Sequence, residues 1–135
     1  MQINAKASRE NLHDLLLFIE QACNKYHIAK PICLNLRLAV EEACVNIIEH
    51  GYANLQPGMI EIAFRLKDNQ VIITIVDFGR EFDPTTYSPP DRLSEWEQRP
   101  LGGLGVFMIC QLMDEVRYTS NPEQGNRLEL IKKIE

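Results

Sequence analysis

Glu42 and Asn46 stand four residues apart in the run EEACVNIIEHGY, so a helix would place both on one face. On a wheel of about 100° per residue, they belong to a polar stripe that lies opposite an apolar one. The polar stripe contains Asn35, Ala39, Glu42, Asn46 and Glu49, and the apolar stripe contains Leu36, Val40, Ala43 and Ile47. A solvated helix face would explain this pattern. The floor of a site for a polar ligand would also explain it, and Asn, a mediocre helix former, slightly favours that interpretation.

Asp77 and Gly79 form a second group, directly after the apolar run VIITIV. An Asp at the end of a buried strand is often only a turn residue. Its carboxylate would also accept a hydrogen bond from an exocyclic amino group such as the 6-amino group of adenine, whereas guanine presents an acceptor there. Gly79 would allow a sharp turn and the close approach of a planar ligand.

Three glycines form the third group, in the segment GGLG before the apolar run VFMICQLM. The free N–H groups at the start of a helix make an anion site, although glycines also simply end loops. The segment does not match the phosphate-binding loop of nucleoside triphosphatases or the dinucleotide fingerprint. The glycines are Gly102, Gly103 and Gly105.

Apolar periodicity and turn residues predict the elements that position these groups. We expect a strand over 2–7, a helix from the cap Ser8 to about Tyr26, and a second helix that begins near Pro31 and ends at Gly51. The hairpin MIEIAFRL-KDNQ-VIITIVDFG, a long loop over 81–100, a helix and a final hairpin follow. This order predicts an α/β two-layer sandwich, one sheet with helices on one side.

Composition limits the possible functions. The 135 residues fit one domain, and the net charge of −5 argues against nucleic acid as a partner. No apolar run is long enough to cross a bilayer and the first residues do not form a signal peptide, so we expect a cytoplasmic protein without a membrane partner. The four cysteines lack C-x-x-C spacing and are expected to be free thiols, and the three histidines lack metal-ligand spacing.

Taken in order, these groups resemble the motifs of the GHKL ATPase superfamily, and within it the bacterial anti-sigma factors that are serine-protein kinases. EEACVNIIEHGY is similar to the N box, DFGREFDP to the first glycine box, and GGLGVFMICQLMDEVRY to the second. The resemblance covers nearly the whole chain. It implies a single domain over 1–135 with the Bergerat-type fold, a mixed and mainly antiparallel sheet, and an ATP lid at about 83–100.

The resemblance also implies a role for each matching residue. Glu42 corresponds to the general base, Asn46 to the ligand of Mg²⁺, and Asp77 to the reader of adenine. Gly79 corresponds to the residue that leaves room for the adenine ring. The glycines of the second box, Gly102, Gly103 and Gly105, correspond to those that bind the phosphates of ATP.

Some positions depart from the family pattern. Glu81 replaces the second Gly of the first glycine box, and Leu101 occupies the position of an Arg that meets the γ-phosphate. Arg99 is a nearby candidate for that contact. Asn126 replaces the Thr that follows the Gly of the last hairpin, and it is a candidate for binding near adenine.

The implied function is an ATP- and Mg²⁺-dependent switch. Such a protein phosphorylates a small antagonist protein on Ser or Thr and sequesters a sigma factor or another regulatory target, and a homodimer is expected. The departures leave open a nucleotide-gated binding module with little or no kinase activity. The ATP-binding half of a sensor histidine kinase is disfavoured, since no helical hairpin with a phosphoacceptor His precedes the motifs.

Overall fold

A computed structural model describes residues 1–53, 55–81, 83 and 103–134. Its elements follow the predicted order strand, helix, helix, strand, strand, helix, strand, strand. They are β1 (Gln2–Lys6), α1 (Arg9–Lys25), α2 (Lys30–Asn46) with a π-helical end (Ile47–Gly51), β2 (Met59–Lys67), β3 (Gln70–Asp77), α3 (Gly103–Leu112), β4 (Glu115–Asn121) and β5 (Gly125–Lys133).

The five strands form one sheet in the order β1-β2-β3-β5-β4. All four pairings are antiparallel, so the expected mixed component is not found among the described strands. Asp68 and Asn69, with φ of 53° and 60°, close the β2–β3 hairpin in the conformation that two-residue turns favour. β3 is central, as its apolar composition predicted, and its end places Asp77 directly opposite Asn126 of β5.

The three helices of the described residues form the second layer, with α2 packed against both α1 and α3. The predicted apolar stripe of α2 is in the core, where Leu36 and Val40 are fully buried. The polar stripe is not a solvated face, however, because Ala39 is fully buried and Asn46 is only 5% exposed. The neighbouring helices cover flanks of α2 that a lone amphipathic helix would expose. Within the described parts of the chain, no helix has the length and apolar character needed to cross a membrane.

The four cysteines are free, which confirms the prediction from their spacing. Cys23 and Cys44 are buried in the core. Burial raises the pKa of the Cys44 thiol to about 12, so this side chain behaves as a small apolar residue.

Tyr52 links the end of α2 to the start of β2 and to the first residue after β3. Its hydroxyl donates a hydrogen bond to the Met59 carbonyl oxygen at 3.0 Å and accepts one from the Phe78 N–H at 2.8 Å. The side chain is 7% exposed. A Cβ at position 58 would lie 2.7 Å from the Tyr52 hydroxyl oxygen, so Gly58 leaves the space that the ring occupies. Tyr52 therefore anchors the start of the loop after β3.

We expect Tyr52→Phe to lower the free energy of unfolding by about 1–3 kcal/mol, because it leaves a part-buried carbonyl and a part-buried N–H without their partner. Denaturant unfolding followed by circular dichroism would measure the loss. Tyr26→Phe is the matched control, since the Tyr26 ring stacks on Phe64 and its hydroxyl makes no hydrogen bond within the described structure. Equal stability of the two variants would contradict the anchoring role of Tyr52.

Candidate functional site

Asp77 lies at the centre of the candidate site, at the end of β3. Its side chain is 5% exposed. One carboxylate oxygen, Oδ2, accepts hydrogen bonds from the Gly79 N–H at 3.1 Å and from Asn126 Nδ2 at 3.3 Å. Burial raises the pKa of Asp77, while these two hydrogen bonds lower it. The Asp77 carboxylate is therefore a buried hydrogen-bond acceptor that two donors hold in place.

Gly79 packs directly on the end of α2. A Cβ at this position would lie 2.5 Å from the Gly51 carbonyl carbon and would overlap its oxygen. The same oxygen accepts a hydrogen bond from the Arg80 N–H at 2.6 Å. The loop after β3 thus depends on glycine at 79 for its contact with the π-helical turn, and π-helical turns are frequent at functional sites.

Asn126 connects this loop to the last hairpin. Its Nδ2 lies 2.9 Å from the Gly79 carbonyl oxygen and 3.3 Å from that of Arg80, and its Oδ1 accepts a hydrogen bond from the Ser120 hydroxyl at 2.7 Å. Asn126 is 5% exposed. Asn126 was predicted from its place after the Gly of the last hairpin, whereas no sequence motif includes Ser120. Only the β4–β5 register, which pairs Ser120 with Asn126, reveals its position.

Asn46 is buried on α2, yet its carboxamide makes no hydrogen bond to another described residue. Among the described side chains, no fully buried polar atom is unpaired, so the amide must reach solvent or a ligand space. A carbonyl oxygen placed in this way fits a hard cation such as Mg²⁺. Glu49, on the same stripe, instead pairs with Arg9 at the start of α1.

Glu42 points toward the start of α3. A Cβ at position 105 would overlap its Oε2, so Gly105 makes room for this carboxylate. Burial, and then the charge of Glu41, raise the pKa of Glu42. An elevated pKa beside a helix start suits a group that accepts a proton next to bound phosphates.

The remaining predicted site residues are only partly covered. Gly103 is the first residue of α3, which agrees with an anion site at a helix start. Arg99, Leu101, Gly102 and all of the predicted lid except Asp83 lie outside the described residues. The described site thus brings Asp77, Gly79 and Asn126 into contact, and Glu42 and Gly105 into a second contact.

Known proteins are similar to this chain in sequence and in architecture. The profile of the histidine kinase-like ATPase domain matches residues 5–132. The chain belongs to this ATPase family. The serine-protein kinase RsbW of Bacillus cereus is 32% identical over 121 residues, which cover 87% of this chain and 74% of that protein. RsbW of Bacillus anthracis matches equally well. The family expected from the three motifs is confirmed.

Solved structures support the fold of this ATPase domain. The crystal structure of the RsbU and RsbW domains of a Mycobacterium tuberculosis protein matches with a TM-score of 0.70 and 17% identity, over 99% of this chain and 32% of that chain. The SiaB-SiaC complex from Pseudomonas aeruginosa matches with a TM-score of 0.61 and 15% identity, over 98% of this chain and 88% of the matched chain. The predicted α/β two-layer sandwich is confirmed, and the family makes this an ATP-using, kinase-type domain.

Proposed function

We propose that the protein is an ATP-dependent serine-protein kinase of the partner-switching type. In this proposal it phosphorylates a small antagonist protein on Ser or Thr and, bound to ATP, sequesters a sigma factor or another regulatory target in the cytoplasm. The main support for kinase activity is the position of the Glu42 carboxylate. It lies against Gly105, at the start of the helix where the phosphates would bind. The identity of about one third to RsbW serine-protein kinases supports it.

The nucleotide would be bound from both ends. Asp77 would accept a hydrogen bond from the 6-amino group of adenine, and Gly79 would leave space for the base. Gly103 and Gly105 would face the phosphates from α3, with Gly102 and Arg99 as further candidates. Asn46 would hold Mg²⁺, which neutralises phosphate charge when bound.

In the reaction, the substrate hydroxyl oxygen would form a bond to the γ-phosphorus of ATP while the bond from that phosphorus to the β,γ-bridging oxygen breaks. Glu42 would take the hydroxyl proton. The products are a phosphoserine or phosphothreonine and ADP. Catalysis would come mainly from positioning and charge stabilisation, which is usual for phosphoryl transfer.

A nucleotide-gated binding module without useful kinase activity is the second candidate. The replacement of the expected γ-phosphate Arg by Leu101 favours it. Such a module would still exchange partners between its ATP and ADP forms, and a homodimer is compatible with both candidates. The two functions differ in one measurable respect, which is covalent transfer of phosphate.

Affinity capture from the native lysate with Mg-ATP and, in parallel, with Mg-ADP tests the switch. The small protein that is retained is then incubated with the kinase and ATP labelled in the γ-phosphate. We expect label to appear with time on a Ser or Thr of that protein. ATP-dependent capture without any transfer would favour the binding module, and capture that ignores the nucleotide would refute switching.

We expect Asn46→Ala to weaken Mg-ATP binding roughly tenfold, the equivalent of about 1.4 kcal/mol, and to leave Mg-free ATP binding unchanged. The reason is that only the metal-bound complex uses the carboxamide oxygen. Calorimetric titration with and without chelator measures both affinities. Asn35→Ala on the same helix is the control, and Ala at either position favours the helix. An equal loss under both conditions would contradict a role as a metal ligand.

A further inference from the structure

We propose that Asn126 is a positioning residue of the adenine site, that it aims Asp77 at the base, and that Ser120 orients the Asn126 amide. The proposal rests on the ATP binding proposed above and gives Asn126 a more specific role than binding near adenine, which the sequence suggested. Asn126 would act through Asp77 and would not bind the nucleotide itself. Ser120 belongs to none of the three motifs.

The hydrogen-bond chemistry fixes the orientation of the Asn126 amide. Its NH₂ group faces three oxygens, those of the Asp77 carboxylate and of the Gly79 and Arg80 carbonyls. Its oxygen faces the Ser120 hydroxyl, which donates. A flipped amide would place oxygen against three acceptors, so both ends of the side chain have a single arrangement.

The consequence for Asp77 is that its two oxygens differ. Both donors in the described structure, the Gly79 N–H and the Asn126 amide, approach Oδ2. No described residue donates to Oδ1, which therefore remains available to a ligand donor. An aimed carboxylate oxygen attracts the amino group of adenine and opposes the carbonyl oxygen of guanine, so its orientation contributes to base selection.

The strand register places Asp77, Asn126 and Ser120 next to one another. Asp77 pairs with Asn126 across β3 and β5, and Ser120 pairs with Asn126 across β4 and β5. The three side chains therefore form a row across three adjacent strands. A Thr at position 126, the residue expected from the family, has one hydroxyl hydrogen and lacks the two N–H donors that Asn126 directs at the loop.

Binding of ATP and GTP to Asn126→Ala and Ser120→Ala tests the proposal. Arg127→Ala is the control, because Arg127 is exposed and points to the opposite face of the sheet. We expect Asn126→Ala to reduce ATP affinity roughly tenfold, since a hydrogen bond to a charged group is lost, and to reduce GTP affinity less. Ser120→Ala should shift the ATP-to-GTP ratio in the same direction by a smaller factor.

The pH dependence of ATP affinity separates positioning from general loss of structure. A donor to the ionised carboxylate lowers its pKa, so removal of Asn126 raises the pKa of Asp77. Loss of ATP affinity on acidification should therefore begin at a higher pH in Asn126→Ala. Among the described residues, the other titratable groups whose charge acts on Asp77 are Cys44 and Tyr52, and both stay neutral under acidic conditions.

The outcomes are distinct. The proposal would be supported if the ratio of ATP affinity to GTP affinity falls in both variants and if Asn126→Ala loses ATP affinity at a higher pH than the unaltered protein. If both variants have the same ATP and GTP affinities as Arg127→Ala, the proposal is overturned. If Asn126→Ala does not fold, the affinity ratio of Ser120→Ala decides the outcome. If the unaltered protein binds ATP but the variants do not differ from it, only this inference fails. If the unaltered protein binds no ATP, the proposed function fails with it.

Discussion

Glu42→Gln is expected to lower the rate of phosphate transfer by about 10²–10⁴-fold, the usual contribution of a positioned general base. ATP affinity should change little, because glutamine has nearly the same shape and the nucleotide is held by other residues. The carboxylate lies against Gly105 at the start of α3, where it can meet a hydroxyl that attacks the terminal phosphate. A carboxamide in the same place cannot take the proton.

Single-turnover transfer, combined with calorimetric titration of ATP, separates the two quantities. Glu41→Gln is the matched control, since it alters the neighbouring carboxylate and leaves the base in place. Transfer by Glu42→Gln at the rate of the unaltered protein would reject Glu42 as the base. A parallel loss of ATP affinity would instead indicate a role in binding.

The pH dependence of phosphate transfer follows from the same two carboxylates, Glu41 and Glu42. Burial and the charge of Glu41 raise the pKa of Glu42 above that of an ordinary glutamate, and a general base works only when it is ionised. Transfer should therefore fall on acidification at a higher pH than a normal glutamate would give. Glu41→Gln removes one of the two causes, so its profile should extend to lower pH.

Local patterns were sufficient to predict the fold. The apolar stripes of the helices and the run VIITIV mark the elements, and turn residues such as Gly51 mark their ends. The order of elements then leaves few arrangements other than a sheet covered by helices. The local pattern did not predict the π-helical turn at Ile47–Gly51, whose last carbonyl contacts the loop after β3, a segment distant in sequence.

Candidate residues were found where a single segment carries the signal, as with Glu42 and Asn46. The sequence alone did not decide whether their stripe is solvated, because burial of Asn46 depends on how α1 and α3 flank α2. Ser120 was missed for a related reason. A serine in a strand carries no signal by itself, and only the registers of the β4–β5 hairpin and of the long-range β3–β5 pairing align it with Asn126 and Asp77.

Gly79→Ala is expected to lose most ATP binding, at least tenfold in affinity, and to lower the free energy of unfolding by about 1–3 kcal/mol, the usual cost of overpacking. The added Cβ would overlap the Gly51 carbonyl, which is backbone and cannot rotate away as a side chain can. Relief requires the loop to move from α2, which breaks the hydrogen bond from the Arg80 N–H to the Gly51 oxygen.

The displaced loop begins directly after Asp77, and its Gly79 N–H donates a hydrogen bond to the Asp77 carboxylate. In the proposed function this loop also carries the surface on which adenine would rest, so ATP affinity should fall further than the loss of stability alone explains. Arg80→Ala is the control, because its side chain is exposed and its backbone N–H remains. Titration of ATP at a temperature where both variants are folded isolates the binding effect. Equal ATP affinity of Gly79→Ala and Arg80→Ala would show that adenine does not lie against this loop. The reason is that a shift large enough to accommodate the methyl group would disturb any ligand packed there.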